Sequence, residues 1–375
     1  MLSQIHTEYL YVTVYIVTTI FGFLSQIKKK GQFRFRGKWL FFSFLVHWTI
    51  LSFTDIGSDY WQYAYNIETT NITMLLDVSE IGFNGLCLLL HSIFKSPDIV
   101  IFIIKTIEIS ILYYAFYRIR LKVRLGLSIF AYNALIFLQA LNLLSMHMAI
   151  VLLLLSFVYL LEGNNMRSMI ILLFACTCHV SSMLLVPIYL IIWYLNHGGK
   201  RISIAMIVIL IISLIFITIQ INTIYLYAMR LPFFQHYETY DMIQQNEGTG
   251  IMQYIYFFPL FLYILQIINS SLKSELCNIF VVFTLVAFVY ALLGYKMEVL
   301  SRINMSFLGL YTVFVPYFLH IQNNKSIRFK LNIPYSFNLI VWIFIMSVRM
   351  YFVFQTNMMM ESNTGIYNYN FFSPF

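Results

Sequence analysis

Long apolar runs separated by short polar breaks dominate the chain. A bilayer core is crossed by about 20 helical residues. Runs approaching that length recur near residues 9–27, 39–53, 98–117, 125–139, 146–161, 203–221, 254–270, 276–294, 303–320 and 336–355. Two stretches fit less simply. Residues 167–195 are apolar but too long for one span and are interrupted by His179, Ser181, Ser182 and Pro187. They read as two short helices broken near His179. Residues 80–95 are apolar, short and open on Glu80. They read as a segment that dips into the outer leaflet and returns, or lies on it.

Composition agrees with lipid as the solvent. The chain is 61% hydrophobic and only 10% charged, where a soluble domain carries roughly 25% charged residues. The expected fold is an all-α, polytopic integral membrane protein with about 10–13 transmembrane helices, forming one membrane domain over residues 1–375. The net charge of +8 does not point to nucleic acid. Most Lys and Arg residues fall in the short segments 28–38, 118–124, 162–167, 197–201, 271–275 and 321–330, as expected of cytoplasmic loops. Of the 15 acids, only Glu162 and Glu275 fall on that side, and Glu108 lies within a helix. A full crossing by 80–95 would move the basic segment RIRLKVR (118–124) to the outside. Residues 1–8 carry no Lys or Arg, and the first basic cluster follows the first apolar run. That order predicts a retained first helix instead of a cleaved signal. Both termini are expected outside, with larger outer segments near 54–97 and 222–253.

Several chemistries lack their residues. The sequence has no P-loop, no Asp-x-Asp pair, no His-Glu-x-x-His helix and no Gly-x-Ser-x-Gly elbow. No metal and no cofactor is expected. Cys87, Cys176, Cys178 and Cys277 all lie in apolar runs and read as small buried hydrophobes. What remains is polar residues at the membrane borders, where charge is expensive and suggests function. Arg302 follows the outer turn YKMEVLSR (295–302) and begins an apolar helix, with Glu298 one turn away. It suits an anionic headgroup or pyrophosphate, though snorkelling alone would also place it there. His179 breaks its apolar stretch, as a proton-transfer group or as a buried cap. Asp59, Tyr60 and Tyr63 in GSDYWQYAY (57–65) suit a sugar, whose C–H faces stack on rings and whose hydroxyls donate to an acid. Interfacial aromatics are the structural counterpart. Lys105 and Glu108 are three apart on one helix face and are expected to neutralise each other as an internal pair. His147 sits at the outer start of a helix, with no role that the pattern defines.

Five of these segments, in this order, carry a resemblance to the EpsG/Wzy-type polysaccharide polymerases over roughly residues 40–320. GSDYWQYAY (57–65) is similar to that family's Gly-x-Asp-Tyr…Tyr segment, and SEIGFNGLCLLL (79–90) to its Glu-x-Gly-Phe segment. ALNLLSMHMAIVLLLLS (140–156) resembles an Asn-x-x-Arg-Gln-x-x-Ala segment, and FACTCHVSSMLLVPIYL (174–190) a Phe-His-x-Ser-x-Leu…Pro segment. SRINMSFLGLYTVFVPYF (301–318) resembles an Arg-containing helix. One departure stands out: Ser145-Met146 occupies the place of Arg-Gln.

The resemblance implies a fold like that of the C-type glycosyltransferases. It implies a multi-pass enzyme of the bacterial cytoplasmic (inner) membrane that joins undecaprenyl-pyrophosphate-linked oligosaccharide repeat units into a surface polysaccharide on the outer face. Neither a nucleotide sugar nor a metal is implied. A departing lipid pyrophosphate needs positive charge, for which Arg302 and Arg230 are candidates. The attacking hydroxyl needs a proton acceptor, for which Asp59, Glu80 and His179 are candidates. Tyr60, Tyr63, His147 and Glu298 are expected to contact substrate. Membrane lipids surround the enzyme, and a chain-length regulator and a flippase are the expected partners, with no nucleic acid. The main alternative is a lipid-linked oligosaccharide flippase. Such transporters often carry matched broken helices in two halves, and this chain has one break and no matching second. A glycan ligase or an acyltransferase is a third option, and the ligase shares the donor and the fold type of a polymerase. A pure scaffold needs no acids or arginines on the outer face.

Overall fold

The computed structural model describes residues 3–29, 32–69, 80–197, 202–203, 212, 251–268, 270–296, 298–323, 327, 329, 331, 333–358, 365–372 and 374; of residues 28–29, 32–33, 251–258, 261, 289–296 and 298–303 it describes the backbone. The described chain is helical apart from one two-stranded hairpin. It runs α1 (Gln4–Leu24), β1 (Gln26–Lys29), β2 (Gln32–Phe35), α2 (Gly37–Ser52), α3 (Tyr60–Thr69), α4 (Ile81–Phe94) and α5 (Pro97–Ile119). It continues through α6 (Leu125–Leu135), α7 (Phe137–Ala140), α8 (Leu144–Leu161), α9 (Asn165–Cys178), a 3₁₀ turn (Val180–Leu185) and α10 (Val186–His197). After residues outside the described set come α11 (Ile251–Ile268), α12 (Ser274–Lys296), α13 (Glu298–Gln322) and α14 (Tyr335–Met358). Among the described residues, 6 helical segments are long and apolar enough to cross a membrane, and four shorter apolar helices accompany them. The protein is an all-α, multi-pass membrane protein. The expected span at 203–221 lies outside the described residues except Ser203 and Ile212.

The chain forms two compact units. The first comprises Met1–Ser182, Leu308–Ile321 and Met346–Phe375. Its centre is α8, all 18 residues of which are buried. That explains a sequence with no polar face (LSMHMAIVLLLLSFVYLL): a helix surrounded on every side has no amphipathic stripe. It packs on α5 and α9, and on the part of α13 belonging to this unit. There Gly309 lies so close to α8 that an added Cβ would come within 2.4 Å of Ile150 Cγ2. In α1, Tyr11, Val14, Tyr15 and Thr18 are buried, whereas Ile5, Tyr9, Val12, Ile16 and Ile20 point out. An outward apolar stripe of this kind suits lipid.

The two ends of this unit differ in charge. At one end the β1–β2 hairpin meets the α5–α6 turn: Gln26 donates to Val123 O (2.8 Å) and Arg120 O and accepts from Leu125 N at 2.7 Å. At the same end Arg118 pairs with Glu162 in the α8–α9 turn. Three segments expected inside therefore share one end. At the other end lie the two chain termini. Gln4 donates to Met358 O (2.7 Å), Tyr11 to Ile366 O (3.0 Å), and Asn370 to Asp55 Oδ1 (3.0 Å). Thr54 bridges to Phe371.

Residues 80–95 form one short helix with its caps. The 14 residues of α4 rise only about 21 Å, too short for a core of about 30 Å. Lys95 then turns the chain in the left-handed region (φ 58°), and Ser96 and Pro97 start α5 as N-cap and first helical residue. α2 ends, and α5 begins, at the terminus-bearing end.

The second unit comprises Met183–Phe307 and Gln322–Ile345. Its α10 and α11 both pack on α12, with Tyr189 edge-on to Phe283. Buried Gln266 accepts from Gln322 (3.0 Å) and Asn338 (3.3 Å), and Asn338 also donates to Gln322 (3.0 Å). Amides joined between helices are a common glue in membranes.

Candidate functional site

A group of polar residues of the first unit gathers near its terminus-bearing end. Gly57 adopts φ +107°, and a Cβ there would lie 2.7 Å from Asn142 Oδ1. Only glycine combines that backbone with that approach. The turn it makes lets Asn142 Oδ1 accept from Asp59 N (3.0 Å) and Ser58 Oγ (3.3 Å), while Asp59 Oδ1 accepts from Ser58 (3.0 Å).

The short α3 follows at once. Tyr60 and Tyr63, three apart, share its inner face, whereas Trp61 and Tyr65 are exposed. Tyr60 donates to Asp98 Oδ1 (2.6 Å), tying α3 to the start of α5. Tyr63 shares a hydrogen bond with Ser145 Oγ (3.2 Å), at the start of α8. Burial, then the bonded Asp98 carboxylate, raises the Tyr60 phenol. Burial raises Tyr63, partly offset by Ser145. Both phenols remain neutral at ordinary pH.

Beneath them lies a narrow cleft lined by Tyr60, Tyr63, Lys105 and Asn142, with Ile101, Leu141 and Leu144 as apolar walls. Lys105 is 3% exposed. Its Nζ makes no hydrogen bond and sits 5.8 Å from the Tyr60 ring centre. The expected Lys105–Glu108 pair does not form. Glu108 instead accepts from His147 Nδ1 at 2.7 Å, with both side chains almost fully buried. The helical register puts both residues on a similar face, but α8 brings an imidazole within reach of the carboxylate.

A second carboxylate–imidazole pair joins Glu80 to His179 Nδ1. His179 ends α9 by turning extended (φ −153°, ψ 126°), so the break expected near this residue falls on it. Glu80 reaches it because α4 starts hard against the end of α9: a Cβ on Gly82 would meet Thr177 Oγ1 at 2.1 Å. The two pairs differ at the second ring nitrogen. His147 Nε2 is bonded to Tyr132 OH (3.1 Å), which leaves His147 no open nitrogen. His179 Nε2 is buried with no hydrogen-bond partner. An imidazole donating from Nδ1 to a carboxylate carries its lone pair on Nε2, which is the arrangement of a general base.

The structure thus draws Asp59, Tyr60, Tyr63, Glu80, His147 and His179 into one unit. Arg302 and Glu298 lie on the described backbone of α13, but their side chains are outside the described set, and Arg230 lies wholly outside it. Sequence reasoning missed Asn142, Asp98 and Ser145 as neighbours of these residues, and paired Lys105 wrongly. Asn142 stood within a quoted motif. The partner of Glu108 had no local signal, since His147 comes from a helix distant in sequence.

The family model described as the EpsG family matches residues 37–371. The chain belongs to the EpsG family. The match covers every residue of the cleft and both carboxylate–imidazole pairs. Membership in the EpsG family supports a polysaccharide polymerase of the glycosyltransferase type. No curated protein and no solved structure matches the chain.

Proposed function

We propose that this EpsG family member joins oligosaccharide repeat units carried on undecaprenyl pyrophosphate, at the outer face of a bacterial cytoplasmic membrane. The observation that carries this reading is the Glu80–His179 pair, with His179 Nε2 left without a partner. In the proposed reaction the hydroxyl of an incoming unit attacks the anomeric carbon of the growing glycan. Its proton passes to His179 Nε2. The bond between that carbon and the diphosphate oxygen breaks, and the lipid pyrophosphate leaves with the electron pair. Glu80 orients the ring and stabilises the imidazolium, which supports general base catalysis of about 10²–10⁴-fold.

Asp59, Tyr60 and Tyr63 are proposed to contact sugar at the mouth. Arg302 and Arg230 are proposed to meet the pyrophosphate, without metal or nucleotide sugar. His147, with both nitrogens engaged, is proposed to position α8 against α5. Outward orientation, with both termini outside, is proposed, and the basic turns gathered at the opposite end support it. Partners belonging to this reading are a flippase that supplies units and a chain-length regulator. The test is a gel of surface glycan from cells lacking the gene. Loss of the ladder with single units retained supports the polymerase. Loss of single units as well points to a flippase or ligase and overturns it.

A further inference from the structure

The cleft beneath Tyr60 and Tyr63 contains a cation without an acceptor. Lys105 lies eight residues into α5, about 12 Å below its start, and is 3% exposed. Leaving an ammonium unpaired away from water is strongly unfavourable. The acids around it are engaged elsewhere. Asp98 accepts from Tyr60, Asp55 from Asn370, and Glu108 from His147. Glu108, one turn along α5, bonds His147 through Oε2 while its Oε1 stays buried without a hydrogen-bond partner, and it offsets part of the Lys105 charge through space. The position on α5 aims the ammonium into the space bounded by Tyr60, Tyr63 and Asn142. Asn142 apart, the walls there are aromatic or aliphatic.

We propose that this cleft is an anion subsite and that Lys105 Nζ binds the phosphate of a lipid. The ligand class is a phosphate ester with an apolar tail, since the cation sits below the helix mouths among apolar walls. Within the function proposed above, on which this assignment of source rests, that lipid is the polyprenyl pyrophosphate carrier. A phosphate from an ordinary phospholipid offers the same chemistry. Tyr60 and Tyr63 position the subsite: they hold α3 over it through Asp98 and Ser145. Lys105 would then supply positive charge from within the bundle, on a helix whose backbone is rigid.

The test uses the full-length protein in detergent, with geranylgeranyl pyrophosphate as probe and phosphatidylglycerol as competitor. Lys105→Met is expected to weaken probe binding roughly tenfold or more, and Lys105→Arg to restore part of it. Weak competition by phosphatidylglycerol assigns the subsite to the pyrophosphate carrier. Competition at equal concentration supports the subsite but assigns it to bilayer lipid. Unchanged binding by a well-folded Lys105→Met overturns the proposal. Should that variant fail to fold, Lys105→Gln takes its place, and unchanged probe binding by it overturns the proposal. Binding is read apart from polymer. A glycan ladder that survives gene deletion overturns the polymerase while leaving the subsite intact. An unaltered Kd in Lys105→Met overturns the subsite while leaving the polymerase intact.

Discussion

If Glu80 acts only through His179, the two residues contribute as one unit, and their effects on polymerisation do not multiply. His179→Ala removes the proton acceptor and is expected to lower the rate about 10²–10⁴-fold, or about 3–5 kcal/mol of barrier. Glu80→Gln keeps an acceptor for Nδ1 but removes the charge that stabilises the imidazolium. A hydrogen bond to a charged group contributes about 1.5–3 kcal/mol, so the single change is expected to cost roughly 10–150-fold. The side chains are 7% and 20% exposed, so water replaces little of that interaction. With His179→Ala already present, Glu80→Gln is expected to cost almost nothing more, as in other catalytic groups that act as a unit. The assay is polymer formed per unit time by purified protein supplied with lipid-linked repeat units, each variant normalised to folded protein. A double variant whose loss equals the product of the single losses would refute the pairing. So would a His179→Ala enzyme that polymerises normally.

Three further outcomes follow from the packing. Gly309→Val is expected to destabilise the first unit by about 1–3 kcal/mol, since its Cβ would lie 2.4 Å from Ile150 Cγ2; thermal melting in detergent measures it, and Ile150→Ala is expected to recover part of the loss. Tyr60→Phe removes the bond to Asp98 and is expected to cost about 1–3 kcal/mol. Because the folded phenol is raised above its ordinary value of 10.0, that contribution is full below about pH 10 and is lost as the pH rises beyond it; a melting series through alkaline pH should find wild type and Tyr60→Phe converging there, and a gap that widens with pH would sink the reasoning. Single cysteines introduced at Ser3 and Pro374 are expected to react with a membrane-impermeant thiol reagent from the same side, because the first helix and the C-terminal segment are tied at one end; labelling from opposite sides would overturn that arrangement. The four native cysteines are buried and free, and give a low background.

The apolar runs by themselves determined that this is an all-α membrane protein, because no soluble core hides that much apolar surface. Basic turns placed by charge alone, such as 118–124 and 162–167, do meet at one end, since the positive-inside rule acts segment by segment. The break at His179 was also legible, because a polar residue and a proline interrupt an apolar stretch within the chain itself. The partners of these residues were not. Spacing three apart placed Lys105 and Glu108 on one helix face and suggested a pair, yet the carboxylate found His147 on α8. Glu80 and His179 stand 99 residues apart, and nothing local joins them. The close approach of Gly82 to Thr177 does, by setting the start of α4 against the end of α9. Lys105 became conspicuous only when every neighbouring acid had been assigned. Helical periodicity fixes which side chains share a face, and helix packing decides what that face meets.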